Sequence, residues 1–215
     1  MTATDEGVAG VAPGDVAADL RVEPFVGPAV VAHLPAVAAL RIEVFRDWPY
    51  LYDGSLAYEQ RYLARYAEGA RNLVVLAFAG DQVIGAATAL PLLDHSDDVA
   101  PPLAAAGFDP ATVCYFGESV LLPAYRGRGL GHRFFDQREA FARAGGFAWA
   151  AFCAVERPGD HPRRPPAYQG LDRFWRKRGF VRRPDIVGEL AWRDVGLAAE
   201  TGKPMVYWVR PLEPA

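Results

Sequence analysis

The chain has 215 residues, a length that suits one ordinary domain or at most two small ones. Hydrophobic residues make up 51% and charged residues 23%, which is close to the globular average and excludes a disordered chain. The net charge of −3 argues against a broad basic surface for nucleic acid. The two cysteines, Cys114 and Cys153, cannot form a disulfide framework. The composition therefore predicts a soluble, cytoplasmic protein with no nucleic-acid partner.

The N-terminal residues 1–18 are rich in Ala, Gly, Val and acidic residues, with no sustained period. We expect a flexible tail there, followed by one domain over residues 19–215. The tail lacks a basic region, so we expect no secretory signal. The longest apolar run, residues 27–40, is interrupted by His33 and Pro35 and is too short to span a bilayer, so we expect no membrane partner.

The first half of the chain predicts strands and helices separated by one loop dense in aromatic residues, 47–54. Alternation of apolar and polar residues indicates strands, and apolar residues at three- and four-residue spacing indicate helices. Ser55 is a good N-cap residue for the second helix. The predicted elements are a strand over 20–25, a helix over 30–45, a helix from Ser55 through Tyr66, and a hairpin of strands 72–78 and 82–90.

The second half begins with a Pro- and Asp-rich segment, 91–110, which predicts a long loop or a short helix. Strands and helices alternate only in the middle of the chain, which favours a mixed α/β sheet over a doubly wound parallel one. The predicted elements are a strand over 112–122, a helix over 129–144, a strand over 147–155, a loop over 156–167, a helix over 171–178, and closing strands over 188–194 and 205–210.

The most informative motif is a turn with glycines at 127, 129 and 131, placed between a strand and a helix. Glycine lets the backbone approach a ligand closely, and the start of the helix presents unpaired N–H groups to an anion. A P-loop is excluded because the turn has no lysine. The dinucleotide-binding fingerprint fails because His132 stands where it needs a third glycine. The pattern Arg-x-x-Gly-x-Gly remains, matched by Arg126, Gly129 and Gly131.

With this turn, the sequence resembles the GNAT N-acetyltransferase superfamily. The resemblance rests on VLLPAYRGRGLG followed by HRFFDQREAFARAGG, and on LDRFWRKRGF about fifty residues later, which is similar to the late helix and Gly-Phe turn of the family. It extends over residues 20–210 through the order of the elements. The resemblance implies a central mixed, mostly antiparallel sheet of about seven strands with helices on both faces. It also implies that strands 112–122 and 147–155 splay apart.

The resemblance further implies that acetyl-CoA is the cosubstrate; we expect no metal, because the sequence has no cluster of metal ligands at a suitable spacing. The pyrophosphate would bind the backbone N–H groups of the glycine turn, and the pantetheine arm would bind the backbone at the end of the preceding strand. The residues expected to bind the cosubstrate are Val120, Leu121, Leu122, Arg126, Gly127, Arg128, Gly129, Leu130 and Gly131.

Acyl transfer to an amine needs a group that accepts the proton of the amine. Glu118 is the candidate base, because it is a lone carboxylate in an otherwise apolar strand. Two alternatives remain open: Glu118 pairs with an arginine for structural reasons, or the amine loses its proton to water.

The departing thiolate must be protonated or solvated. The family often carries a tyrosine for this step in the late helix, but here Trp175 takes that place, and its indole N–H is not acidic enough. Tyr168 is the candidate substitute, and release of the thiolate to solvent is the alternative. A covalent route through Cys114 or Cys153 is disfavoured, because buried cysteines behave as small apolar residues.

The acceptor amine is expected to bind near the aromatic loop. The candidates are Trp48, Tyr50 and Tyr52, together with His161 in a later loop. Tyrosine supplies an apolar wall with a polar tip, which suits an amine. No His, Cys or Asp cluster has the spacing of metal ligands.

The sequence therefore predicts an acyl-CoA-dependent N-acyltransferase that moves an acetyl group to an amine of a small molecule or peptide by direct attack in a ternary complex. The alternative is a non-catalytic acyl-CoA-binding or regulatory protein on the same fold, which the departure at Trp175 favours. A homodimer is common among such proteins and stays open.

Overall fold

The computed structural model describes residues 19–95 and 98–213. The tail predicted over residues 1–18 lies outside the described residues. Within them the chain forms seven strands: β1 (Leu20–Val26), β2 (Leu73–Ala79), β3 (Gln82–Pro91), β4 (Val113–Leu121), β5 (Trp149–Val155), β6 (Val181–Arg193) and β7 (Glu200–Pro211). The α-helices of the same residues are α1 (Leu34–Phe45), α2 (Leu56–Glu68), α3 (Ala100–Ala105), α4 (Leu130–Ala144) and α5 (Asp172–Lys177).

The strands form one mixed sheet in the order β1-β2-β3-β4-β5-β7-β6. Every neighbouring pair is antiparallel except β4 and β5, which run parallel. This confirms the predicted mixed, mostly antiparallel sheet. A parallel neighbour needs a crossover connection, and here helix α4 supplies it.

Strands β4 and β5 pair over only three residues each. Val113 to Tyr115 lie opposite Trp149 to Ala151, and beyond these positions the two strands are no longer paired. The strands therefore separate in the middle of the sheet, as the family resemblance implies.

Helices cover both faces of the sheet, as predicted. Helices α1 and α2 bury Val37, Leu40 and Leu63 against one face. Helix α4 buries Leu130 and Phe134 against the other. We call these the α2 face and the α4 face. The separation of β4 and β5 thus lies between two different helical layers.

Strand β6 is the main departure from the predicted elements, because it begins at Val181 and not at residue 188. Residues 181–187 contain Pro184, and a proline argues against a strand because it cannot donate to a strand ladder. The register against β7 shifts between Arg183 and Val187, and β6 is an edge strand, so the irregularity accommodates Pro184.

The first helical region is longer than the predicted apolar run. It continues as a 3₁₀ segment (Gly27–His33) and α1 to Phe45. By length and composition alone Gly27–Phe45, with mean hydropathy 1.5, could cross a membrane, and the core helix of a folded domain meets the same two criteria. Here α1 contacts α2, β3 and β4.

Candidate active site

A β-bulge in β4 decides which way Glu118 points. Ala89 of β3 lies opposite Phe116, and Ala87 lies opposite Ser119, so β4 carries one extra residue at this place. Before the bulge, Tyr115 faces the α2 side and Phe116 the α4 side. An extra residue reverses the alternation of side chains along a strand. Glu118 consequently lies on the α2 face. Regular alternation would have placed it on the α4 face, beside Phe116.

Gly117 is the residue that permits this arrangement. A Cβ at Gly117 would lie 2.4 Å from Oγ1 of Thr88 and 2.7 Å from the hydroxyl of Tyr66. Tyr66 and Thr88 are themselves hydrogen bonded to each other at 2.9 Å. The bulge is therefore packed tightly against α2 and β3, and only glycine fits there.

Glu118 belongs to a buried network of charges and hydroxyls. Its Oε2 accepts a hydrogen bond from Nη1 of Arg41 at 2.6 Å and another from the hydroxyl of Tyr62 at 3.2 Å. Nε of Arg41 also donates to Glu59 at 2.5 Å, and Glu59 accepts a hydrogen bond from Tyr52 at 2.8 Å. The network thus joins α1, α2, β4 and the aromatic loop.

This network holds two carboxylates and the guanidinium of Arg41, and the guanidinium of Arg65 lies 4.6 Å from the centre of the Tyr62 ring. Burial alone would lower the pKa of Arg41, but the nearby charges of Glu118 and Glu59 more than offset burial and raise it, so Arg41 stays charged. Burial raises the pKa of Tyr62, which therefore remains a neutral hydrogen-bond donor.

A cavity of about 170 Å³ lies beside this network. Glu118 lines it, and the Oε1 atom of Glu118 is buried with no hydrogen-bond partner in the described part of the chain. Buried polar atoms are normally paired, so an unpaired carboxylate oxygen marks a place for a donor. The aromatic residues that line the same cavity are Phe45, Tyr50, Tyr52, Tyr58, Tyr62, Tyr115 and Trp192.

The glycine turn follows the C-terminal end of β4. Gly127 and Gly129 have φ values of +78° and +80°, which L side chains rarely adopt, and Gly129 is the N-cap of α4. The first amides that bond within the turn of the helix are those of His132 and Arg133, both to the Gly129 carbonyl. The amides of Leu130 and Gly131 have no partner among the described residues. Such an end can hold an anion.

The two arginines of the turn contact its own backbone. Nε of Arg126 donates to the Leu121 carbonyl at 3.2 Å, and Nη2 of Arg128 donates to the Ala124 carbonyl at 3.3 Å. Arg126 forms no ion pair with another described residue, so its guanidinium remains a candidate contact for phosphate.

The backbone at the end of β4 narrows the prediction for the pantetheine arm. The Leu122 amide donates to the Ile84 carbonyl at 3.0 Å and is therefore engaged on the β3 side. Because backbone groups alternate along a strand, Val120 also faces β3, and Leu121 faces the separation from β5. Leu121 is accordingly the backbone group best placed to meet a ligand in that separation.

The aromatic loop is held in place by Arg157, which lies in the loop after β5. Its guanidinium donates to the carbonyls of Pro49 and Tyr50 at 3.0 and 2.8 Å, and it pairs with Asp194 at 2.8 Å. Tyr50 and Tyr52 therefore reach the cavity on a loop that is fixed from behind.

The predicted acceptor residues outside the cavity wall form a second aromatic group. The ring of Trp48 lies 5.0 Å from His161 and 6.0 Å from Tyr168. Burial raises the pKa of Tyr168, so its hydroxyl keeps its proton at neutral pH. The structure thus brings Trp48, His161 and Tyr168 together. Trp48 lies on the same loop as Tyr50, which lines the cavity.

Trp175 and the two cysteines have surroundings that differ from those of a reactive group. The Trp175 ring lies 5.0 Å from Phe152 and 5.1 Å from Trp208, within the core of the α4 face. Burial raises the pKa of Cys153 to about 11 and that of Cys114 to about 12, so both are protonated thiols at neutral pH.

Sequence reasoning missed Arg41 and Glu59 as members of the site. The sequence did contain a signal for Arg41, because this residue interrupts the apolar face of α1. Glu59 is 0% exposed, but it lies in an amphipathic helix whose other polar residues gave no reason to single it out. No group of three or more metal-ligating side chains occurs within the described ranges.

The open mixed sheet with one split parallel pair, and the glycine-capped helix directly after the split strand, agree with the fold that the resemblance to the GNAT superfamily implies. A family model described as "Acetyltransferase (GNAT) family" matches residues 37–180, which is more than half of the chain. The chain belongs to the GNAT acetyltransferase family.

Solved structures agree on the fold. The yncA protein of Salmonella typhimurium, solved with its cofactor acetyl-CoA, has a TM-score of 0.54 at 14% identity, covering 92% of this chain and 96% of its own. The ribosomal-protein-alanine N-acetyltransferase of Brucella melitensis has a TM-score of 0.55 at 17% identity, covering 87% and 99%. An N-acetyltransferase from Staphylococcus aureus Mu50 has a TM-score of 0.56 at 12% identity, covering 90% and 99%. A search of curated proteins found no match.

Proposed function

We propose that this protein transfers an acetyl group from acetyl-CoA to a primary amine, by direct attack of the amine in a ternary complex. The observation that carries the proposal is the unpaired Oε1 of Glu118, which is buried beside an aromatic-lined cavity on the α2 face. The glycine turn at the end of the same strand supports a cosubstrate site on the other side of the split. Strand β4 would thus contact both substrates.

The unpaired Oε1 of Glu118 favours an amine as the acceptor, because a carboxylate oxygen accepts a hydrogen bond from an N–H donor. An alkylammonium group entering the cavity would meet the free carboxylate oxygen and the faces of tyrosine rings, which attract cations. Glu118 would take one proton from the ammonium, which gives the nitrogen the lone pair with which it attacks, and the bonded nitrogen would lose its second proton to solvent. Arg41 and Tyr62 hold the other carboxylate oxygen, so they would keep Glu118 in a fixed orientation.

The remaining roles follow from position. The Leu121 amide is proposed to stabilise the carbonyl oxygen of the thioester, and Tyr168 is proposed to protonate the departing thiolate. Trp48, Tyr50, Tyr52 and His161 are proposed to contact the acceptor. The cavity is small, which suits the amine end of a small molecule or an extended peptide.

The proposal is tested by following CoA release with a thiol reagent while a panel of alkyl, arylalkyl, polyamine and peptide amines is offered. We expect release to require both acetyl-CoA and an amine. Glu118→Gln should lower kcat roughly tenfold or more, which is a modest loss for a general base, with the affinity for acetyl-CoA unchanged. Glu156→Gln is the matched control, because Glu156 is half exposed and binds Arg182 away from the cavity.

Acetyl-CoA binding without release of CoA to any amine would contradict the proposal and favour a non-catalytic binding protein. Normal turnover by Glu118→Gln would show that water, and not Glu118, accepts the proton of the amine.

A further inference from the structure

Arg138 is a buried arginine on the α4 face that the proposed reaction has not used. It is 2% exposed, and its guanidinium carbon lies 4.6 Å from the centre of the Phe116 ring and 4.5 Å from that of Phe135. It therefore stands between β4 and α4, stacked between two aromatic rings.

Arg138 has an unsatisfied donor. Its Nε donates to the Phe134 carbonyl of its own helix at 3.3 Å, but Nη2 is buried and has no hydrogen-bond partner in the described residues. No carboxylate among those residues forms an ion pair with it. The neighbouring Glu139 pairs instead with Arg178, at 2.7 Å, and with Arg210, at 2.8 Å.

Such an arginine is costly to keep. A buried cation loses its hydration, and replacing it by an apolar side chain of similar size is often neutral or stabilising. Burial lowers the pKa of Arg138 to about 9, against the opposing influence of Cys114, Glu118, Glu139 and Tyr66, so it is still charged at neutral pH. The unpaired Nη2 of Arg138 marks a place for a hydrogen-bond acceptor.

Arg138 lies close to the point where β4 and β5 separate. The last paired residues of the split strands are Tyr115 and Ala151, so Phe116 and Phe152 stand where the strands begin to separate. The Phe135 ring lies 6.0 Å from Phe116 and 6.1 Å from Phe152, and thus spans this point on the α4 face. Arg138 stacks on two of these three rings, at the apex of the split.

We propose that Arg138 stabilises the negative charge on the sulfur of CoA as the thioester is cleaved. The inference rests on the proposed function. The amine nitrogen forms a bond to the acyl carbon, the C–S bond breaks, and its electron pair remains on sulfur as a thiolate. Glu118 takes the proton that converts the ammonium into the attacking amine, the bonded nitrogen loses its second proton to solvent, and the thiolate takes up a proton from Tyr168 or from solvent as CoA leaves.

The two faces of the sheet then have opposite electrostatic roles. Glu118 and its network attract the cationic amine on the α2 face, and Arg138 receives the developing anion on the α4 face. This assignment also accounts for Trp175, which occupies the place where the family often carries a tyrosine, since a fixed cation can stabilise the thiolate before any proton is transferred.

The experiment measures the pKa of the CoA thiol in the binary complex, from the ultraviolet absorption of the thiolate. The complex with desulfo-CoA is the blank, which removes the signal of Cys114 and Cys153. The variants are Arg138→Met, Arg138→Lys and Arg133→Met. Arg133 is the control, because it lies on the same helix but is exposed and donates to the Leu20 carbonyl.

We expect the natural protein and Arg133→Met to bind CoA with a thiol pKa below that of free CoA. Arg138→Met should bring the thiol pKa to that of free CoA or above it and lower kcat roughly tenfold or more, with little change in the KM for acetyl-CoA. Its melting temperature should be unchanged or higher, as expected when an unpaired buried charge is removed. Arg138→Lys should retain part of the shift.

An unshifted thiol pKa in the natural protein would overturn the role of Arg138 while leaving the proposed function intact, because the complex needs no amine. An equal shift in Arg138→Met would do the same. A structural role would show as a lower melting temperature in Arg138→Met with no change in the thiol pKa. Failure to bind CoA would overturn both proposals.

Discussion

Nη1 of Arg41 lies 2.6 Å from Oε2 of Glu118, and this contact joins the first long helix to the bulge of the central strand. Both side chains are almost fully buried, with exposures of 9% and 1%. A buried ion pair contributes little net stability, but removing one partner leaves an uncompensated charge. The pair therefore makes the orientation of Glu118 depend on a residue 77 positions away in the sequence.

Arg41→Met should lower the free energy of unfolding by about 3–5 kcal/mol, because Glu59 and Glu118 lose their shared cation. Chemical denaturation measures this loss. Arg46→Met is the control, since Arg46 is mostly exposed where it meets Asp53, and it should lose less than about 1 kcal/mol. Arg41→Met combined with Glu59→Gln should recover part of the loss, and equal losses in single and double variants would argue against the network.

The glycine turn can be tested with two matched glycines. Gly129→Glu and Gly107→Glu both place a side chain at positive φ, +80° and +90°, with no atom within 4 Å of the new Cβ. Each should therefore lose about 1–2 kcal/mol of stability from backbone strain. Only Gly129→Glu should lose acetyl-CoA binding in calorimetry, because it puts an anion at the start of α4. Equal affinities in the two variants would contradict the site.

The ion pair of Arg157 and Asp194 holds the aromatic loop from behind, and we call this pair the clamp. Its contribution to stability should depend on pH. Burial acts to raise the pKa of Asp194, but the hydrogen bonds and charge of Arg157, with Lys203, outweigh it and lower the pKa below 3.8. The stabilisation is therefore complete above the pKa of the unfolded chain and is lost as the pH falls through the lower pKa of the folded protein. Asp194→Asn should cost about 3 kcal/mol at neutral pH.

This difference between Asp194→Asn and the natural protein should stay constant from neutral pH to about pH 5 and shrink below about pH 4. Denaturation curves at several pH values give the answer. Asp172→Asn is the control, since Asp172 is half exposed in its pair with Arg176. A difference that grows as the pH falls would contradict the clamp.

The protonated cysteines favour direct attack by the amine over a route through an acyl-cysteine intermediate. Because burial raises the pKa of Cys153 to about 11, its nucleophilic thiolate forms only as the pH approaches that value. Mixing the protein with acetyl-CoA alone at neutral pH should therefore give no burst of CoA and no increase in protein mass. Cys153→Ala should keep its ability to transfer acetyl groups. A burst that disappears in Cys153→Ala would establish an acyl-enzyme in place of direct attack.

Most of the fold followed from local patterns. Ser55 was predicted to cap α2, and its hydroxyl oxygen does accept a hydrogen bond from the Tyr58 amide at 3.3 Å. The strand, glycine turn and helix around Gly129 were also correct, because glycine spacing and helical periodicity are local properties. The edge strand β6 was predicted too short, since Pro184 is tolerated only where the register against β7 shifts.

The site was predicted less completely than the fold. Glu118 stood out in an apolar strand, but its direction depends on the bulge, and regular alternation would have pointed it into the core of the α4 face. Gly117 was the available signal, since glycine inside a strand often marks a bulge. Arg41 could not be paired with Glu118 from sequence, because the contact depends on how α1 packs across the sheet.

The most direct test of the account is calorimetric titration of the purified protein with acetyl-CoA, with NADH and NADPH as controls. We expect micromolar binding of acetyl-CoA and no binding of either nicotinamide, because the turn before α4 is proposed to hold the pyrophosphate and the split between β4 and β5 is proposed to hold the pantetheine arm. No binding of acetyl-CoA, or equal binding of NADH, would contradict the assignment of this turn and the roles of Glu118 and Arg138 that depend on it.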